Sequence, residues 1–318
     1  MKRWLLWFFK LSLSVGILYY IFTIIPVGEV FTALRSSRIG FFLVALCFTF
    51  TANMAASLRM RQLTRCLGMS VSASQIFAIN LISSFYGMFL PGSLAGGAVR
   101  WRKLYLADKN AGGAFIAIVL NRFLLTTVNV AFGVAFWISA GLLHSNSIVG
   151  LILLGILAGL LLLQGILVSG IVSPPLNTDM GSGARGGSRL RIQIISILGA
   201  LRRYRDLPRI ALLWISVLAL IEELLGIASF YFVSLSVGID VPLVHLGWVR
   251  SFLYLITMVP VSFFGIGIQE GTLITLLGNY GVPGAEAVAF SFILVARSIV
   301  IAFAGGVLET RNLLVPAG

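Results

Sequence analysis

The sequence predicts an all-α polytopic membrane protein of about six spanning helices plus two re-entrant helical hairpins arranged as inverted repeats. Three observations lead there. Hydrophobic residues fill 59% of the 318 positions and charged residues only 10%, with a mean hydropathy of +1.03, whereas a soluble domain carries roughly 25% charged residues. Apolar runs of about 20 residues, enough to span a hydrocarbon core as a helix, recur along the chain. Two further apolar regions are broken by proline and glycine at similar internal spacings.

Taken in order, the first run covers 4–26. It follows a basic start and continues to Pro26 without a small-residue cleavage site, so it reads as a retained helix and not a signal peptide. Trp4 and Trp7 suit the membrane interface. A second run covers 39–58, and the region 75–106 is interrupted by PGSLAGGAVRWRK. Runs at 114–140 and 147–170 complete an N-terminal half, 1–170. A Gly/Ser-rich, basic stretch at 171–208 reads as a cytoplasmic linker within a single membrane domain, 1–318. The C-terminal half, 209–318, carries runs at 209–237 and 284–308 around a second broken region, 243–280.

Lysine and arginine concentrate in cytoplasmic loops. With the N-terminus inside and 75–106 dipping in and out from one face, 18 of the 23 basic residues fall on the cytoplasmic side, Arg59, Arg61 and Arg65 among them. Only Arg35 and Arg38 fall outside, and both termini are cytoplasmic. The second broken region then enters from the outer face. A plain eight-span arrangement leaves the ends in similar places. The net charge of +13 thus suits anionic lipid surfaces; no RNA-binding motif accompanies it, and a nucleic-acid partner is not expected. Two cysteines and two isolated histidines form no metal framework, and no P-loop is present. No cofactor is expected.

The two breaks resemble each other. Pro91 aligns with Pro260, Gly96 and Gly97 with Gly265 and Gly267, and Arg100 with Gln269 beside Glu270. Each break precedes a run with one arginine, Arg122 and Arg297. Proline removes a backbone donor and disrupts a helix; glycine permits reversal and close packing. The backbone groups freed by a break cannot face lipid, so they must be buried in protein or line a watery cavity. Inverted repeats with broken helices meeting near the midplane are a transporter architecture.

Arg122, Glu222, Glu223, Arg250, Glu270 and Arg297 all lie in apolar surroundings. A charge at the bilayer centre costs about 2.5–3.5 kcal/mol on insertion scales, so these six are expected to face inward, pair with one another or meet water. They can serve as structural ion pairs or as a head-group site together with Arg100 and Gln269. Arg250 can instead snorkel to the outer interface, Arg100 can be a cytoplasmic anchor, and a buried glutamate can relay protons. Glu222 and Glu223 are adjacent, about 100° apart on a helix, so one partner can hardly serve both.

The segments LPGSLAGGAVRWRKL (90–104) and VPVSFFGIGIQEG (259–271), with NRF (121–123) and VARSIV (295–300), resemble the paired signatures of the lysylphosphatidylglycerol synthase transmembrane, or flippase-like, family. The resemblance covers nearly the whole chain. It departs at Ala98, where members typically have an acidic residue, and at Asn121, where they often have glutamate. It implies a domain that moves lipid between leaflets, and a separate lipid-modifying enzyme as partner; stand-alone relatives are linked to polyprenyl-phosphate carriers. The function expected is therefore translocation of a phospholipid or polyprenyl-phosphate-linked lipid in the cell membrane, by a protein that is not itself an enzyme. An intramembrane lipid-linked transferase and a non-transporting membrane subunit are the alternatives. Homo-oligomerisation is left open.

Overall fold

A computed structural model describes residues 2–89, 95–141, 148–169, 207–258 and 266–314. All regular structure among the described residues is helical. In chain order the helices are α1 (Lys2–Ile24), α2 (Val27–Arg35), α3 (Ile39–Cys66), α4 (Ala73–Phe89), α5 (Ala95–Asp108), α6 (Ala111–Ser139), α7 (Ile148–Ser169), α8 (Arg209–Val237), α9 (Leu243–Met258), α10 (Ile268–Gly278) and α11 (Gly284–Leu314).

Four stretches, Ile39–Cys66, Ala111–Ser139, Arg209–Val237 and Gly284–Thr310, are long and apolar enough to cross a membrane. At 1.5 Å per residue a 28-residue helix reaches about 42 Å, beyond the roughly 30 Å of a hydrocarbon core. The first run does not end cleanly at Pro26. Proline there caps α2 in an extended conformation, and the chain turns by 89° between Ser14–Ile24 and Val27–Arg35. Counted as one broken span, this pair raises the number of crossings among the described residues to five.

Local signals set the other ends. Asn110 caps α6 by accepting the Gly113 N–H at 2.8 Å. Gly238 closes α8 in the left-handed conformation at φ 91°, which a residue with a Cβ rarely adopts. Helix α3 runs past the expected end at 58, because nothing between 58 and Gly68 breaks it, and Gly68 at φ 76° ends the turn that follows.

Helices α3 and α8 lie side by side and antiparallel. The Arg38 N–H donates to Ser236 O at 2.7 Å, Ser229 Oγ donates to Ala45 O, and Arg59 reaches Glu222. Around this pair the contacts are exchanged between halves: α4 packs on α11, while α9 packs on α6. The short helices flanking each break also pack on each other, α4 on α5 and α9 on α10. Glycine makes both exchanged contacts close. A Cβ at Gly305 of α11 would lie 2.0 Å from Leu81 O of α4, and one at Gly133 of α6 would lie 2.6 Å from the Ser251 side chain of α9.

Of the residues expected to shape the breaks, Pro91, Pro260 and Gly265 lie outside the described residues, as does most of the linker at 171–208. Gly96 packs against Gly87 and Ser83 O, drawing α5 onto α4. Gly97 faces open space. Gly267, at φ 87°, starts α10 against Ile17 of α1.

Two apolar cores fill the bundle. One gathers α8 to α11 with Ile21, Ile25 and Val30, and includes the edge-on ring pair Phe230–Phe290 at 4.8 Å. The other gathers α3 to α6 around Met60, Leu63, Ile76, Leu104 and Leu120, with Ile215 of α8. On α3 the stretch between Ala45 in one core and Met60 in the other carries Thr49, Asn53 and Ser57, and on α8 the stretch between Ile215 and Phe230 carries Glu222, Glu223 and Ser229.

Gly305→Ala is expected to destabilise the protein by about 1–3 kcal/mol through overpacking against the α4 backbone. Gly97→Ala, which meets nothing within 4 Å, is expected to be neutral or slightly stabilising. Thermal melts of the two variants in one detergent compare them directly.

Candidate functional site

Between the two cores a cleft of about 190 Å³ opens beside α3 and α8. Helix α3 contributes Thr49 and Asn53, α8 contributes Glu222, Glu223 and Ser229, α9 contributes Arg250 and Tyr254, and α11 contributes Arg297. The helical turn of about 100° per residue sends the two adjacent glutamates to different partners. Glu223, almost fully buried, pairs with Arg250 and accepts from Asn129 Nδ2 at 2.9 Å. Glu222 faces Arg59, whose Nη2 stands 2.9 Å from Oε2, close enough to pair charges although not aligned as a hydrogen bond.

Each element has a local reason for its place. Gly226 sits where a Cβ would be 2.4 Å from Arg250 Nη2, so glycine on α8 makes room for the guanidinium to reach Glu223 one turn away. Arg297 of α11 has no carboxylate within ion-pair distance among the described residues. Its Nη1 donates to Ser229 Oγ at 2.8 Å, and Ser229 in turn donates to Ala45 O at 2.9 Å. The serine thereby fixes the guanidinium against the α3–α8 pair.

The residues singled out from sequence divide into three groups. Glu222, Glu223, Arg250 and Arg297 come together in the cleft, and Arg250 is bound to Glu223 rather than snorkelling. Arg100 and Arg122 do not line it. Arg122 is exposed on α6, which corrects the expectation of a buried charge. It does not reach the cleft, whereas Leu125, one turn on, faces it. Arg100 is part-buried on α5 with its Nε enclosed and without a hydrogen-bond partner among the described residues. Its charged neighbours are Glu222, then Arg122 and Arg59.

Gln269 and Glu270 form the third group. Glu270 Oε2 accepts the Gly267 N–H at 2.6 Å, and Oε1 accepts Ser291 Oγ–H at 2.7 Å. Gln269 Nε2 donates to the same serine at 2.9 Å. The carboxylate thus closes the first turn of α10, where a negative charge also meets the positive end of the helix dipole. Neither side chain lines the cleft.

Sequence reasoning missed Arg59, taking it for a cytoplasmic loop residue, yet its side chain is about 1% exposed. The available signal was the unbroken helix up to Gly68, which carries Arg59 past the apolar window. It also missed the polar lining from Thr49, Asn53 and Ser229, which look unremarkable one at a time. Lys103 of α5 pairs with Glu309 of α11, which also accepts from Tyr86 Oη–H at 3.1 Å.

A polytopic helical bundle with apolar outer helices and ion pairs enclosed within it is a membrane protein. The chain belongs to the family described as the lysylphosphatidylglycerol synthase TM region, whose sequence model matches residues 7–306. No curated protein matches the chain.

Arg250→Ala leaves Glu223 buried with only Asn129 and is expected to cost about 3–5 kcal/mol. The paired replacement Arg250→Met with Glu223→Leu is expected to recover most of that loss, as a double-mutant cycle on thermal stability will show. Glu270→Ala is expected to cost about 1–2 kcal/mol by uncapping α10. Equal melting of Glu270→Ala and the parent protein would remove the capping role.

Proposed function

We propose that the protein moves a lipid between bilayer leaflets, with the head group passing through the cleft while the tails stay in the membrane. The single observation that carries this reading is the cleft itself. It joins carboxylates, guanidiniums and hydroxyls in about 190 Å³ within a membrane bundle, where each unpaired charge is expensive. Arg297, held by a serine and not by an acid, offers a charge to an anionic group. Glu222 and Glu223 balance the neighbouring arginines and can meet a cationic or hydroxylated part of a head group. The work is binding and movement, not bond making.

In this reading α4 with α5, and α9 with α10, are re-entrant hairpins of two inverted repeats, and they enter from opposite faces. The exchanged packing of α4 on α11 and of α9 on α6 supports it, as does the similarity of the two breaks. One repeat then rocks against the other about the α3–α8 pair and alternates access to the cleft. The bias of basic residues supports cytoplasmic termini in a cell-membrane protein. A phospholipid or a polyprenyl-phosphate-linked lipid fits as cargo, with a separate lipid-modifying enzyme to supply it.

Purified protein in liposomes holding fluorescent anionic, cationic and polyprenyl lipids tests this. One lipid class is expected to cross, and Arg297→Ala is expected to slow it about tenfold or more, roughly 1.4 kcal/mol, with melting close to the parent's. If every lipid keeps its leaflet under imposed ion gradients, the reading fails.

A further inference from the structure

We infer that Arg59, Arg100 and Arg122 form an anion site beside the cleft, sharing Glu222 with it, and that its ligand is a phosphate group. The three guanidiniums come from three helices, α3, α5 and α6, and Glu222 comes from α8. Each of the other two arginines is an electrostatic neighbour of Arg100, and so is Glu222. Among the described residues Glu222 pairs with Arg59 alone, and neither Arg100 nor Arg122 has a carboxylate within ion-pair distance. Three cations therefore share Glu222, and Glu223, already paired with Arg250, adds only a more distant neighbour to Arg59.

The second observation is the state of the buried atoms. Arg59 is about 1% exposed, yet among the described residues neither its Nε nor its Nη1 has a hydrogen-bond partner, and neither does the enclosed Nε of Arg100. A buried donor left unmade costs about 1–3 kcal/mol, more when charged. An anion with several acceptor oxygens meets these donors and removes the surplus charge at once. Phosphate matches the planar forks of guanidinium groups, which take its oxygens two at a time. Arg122, exposed on α6, marks the open side by which such a group enters.

The site itself does not require that a lipid be moved; as a station for a lipid phosphate it rests on the translocation reading. With that reading, a phosphate handed between Arg297 and the Arg59–Arg100 pair stays near a guanidinium throughout, while Glu222 and Glu223 keep either end from holding it too tightly.

The test uses the full chain in a phosphate-free maltoside detergent, titrated with inorganic phosphate and, separately, with dihexanoyl phosphatidylglycerol, read by thermal shift and by ³¹P line broadening. An Arg297→Gln background silences the cleft cation. In that background at least one of the two anions is expected to bind, and adding Arg100→Gln or Arg122→Gln is expected to weaken it about tenfold or more. Arg59→Gln strips Glu222 of its partner, so the other two arginines carry the test. Binding of the lipid alone assigns the site to a head group, and binding of inorganic phosphate alone assigns it to a free ion. No binding of either, or equal binding after Arg100→Gln and Arg122→Gln, overturns the inference. Translocation lost with phosphate binding intact counts against the function and not against this site.

Discussion

Glu222 and Glu223 stand next to each other in the middle of α8, in a segment otherwise apolar enough to cross a membrane. Two carboxylates there are tolerable only if each finds a cation, and the helix sends them in different directions. Arg59 comes from α3 to meet one, and Arg250 comes from α9 to meet the other. The need to neutralise this pair therefore ties three helices together at one level of the bundle. Removing a partner leaves a charge enclosed, which is why pairs of this kind bind helix positions so firmly even when their net stabilisation is modest.

The remaining packing accommodates that layer. The apolar cores sit to either side of it along α3 and α8, so water-seeking groups collect where the cores end. Glycines bring the neighbouring helices close: Gly226 admits Arg250, Gly305 admits the α4 backbone, and Gly133 admits Ser251. In a bilayer, where lipid tails are as apolar as the side chains, such close backbone approach and interhelical hydrogen bonds supply much of the specificity of assembly. Ser229 shows the economy of the arrangement, since one hydroxyl both ties α8 to α3 and holds Arg297 of α11.

At the cleft and its edge Arg59, Arg250 and Arg297 meet only Glu222 and Glu223 among the described residues, while Glu270 and Glu309 are engaged elsewhere. That imbalance leaves this layer with a surplus of positive charge inside a protein of a lipid-related membrane family. Glu270 illustrates the opposite case: a buried acid in a broken apolar segment whose oxygens are fully used by the backbone and a serine.

Composition and the lengths of the apolar runs determined that the chain is a helical membrane protein, because transfer of apolar surface and the span of a bilayer depend on local sequence alone. The runs at 114–140, 209–237 and 284–308 correspond to α6, α8 and α11 within a few residues, and the paired motifs pointed to the family. The sequence also marked Glu222, Glu223, Arg250 and Arg297 as costly charges. Partners were a different matter. Arg59 belongs to the cleft's charge layer only because α3 runs antiparallel to α8; Arg122 is exposed only because of how α6 is rotated. Glu270 caps its own helix because Gly267 takes a left-handed turn beside it. An ion pair between helices depends on the direction, rotation and depth of both, and those are set by packing across the whole bundle, which no single stretch of sequence contains.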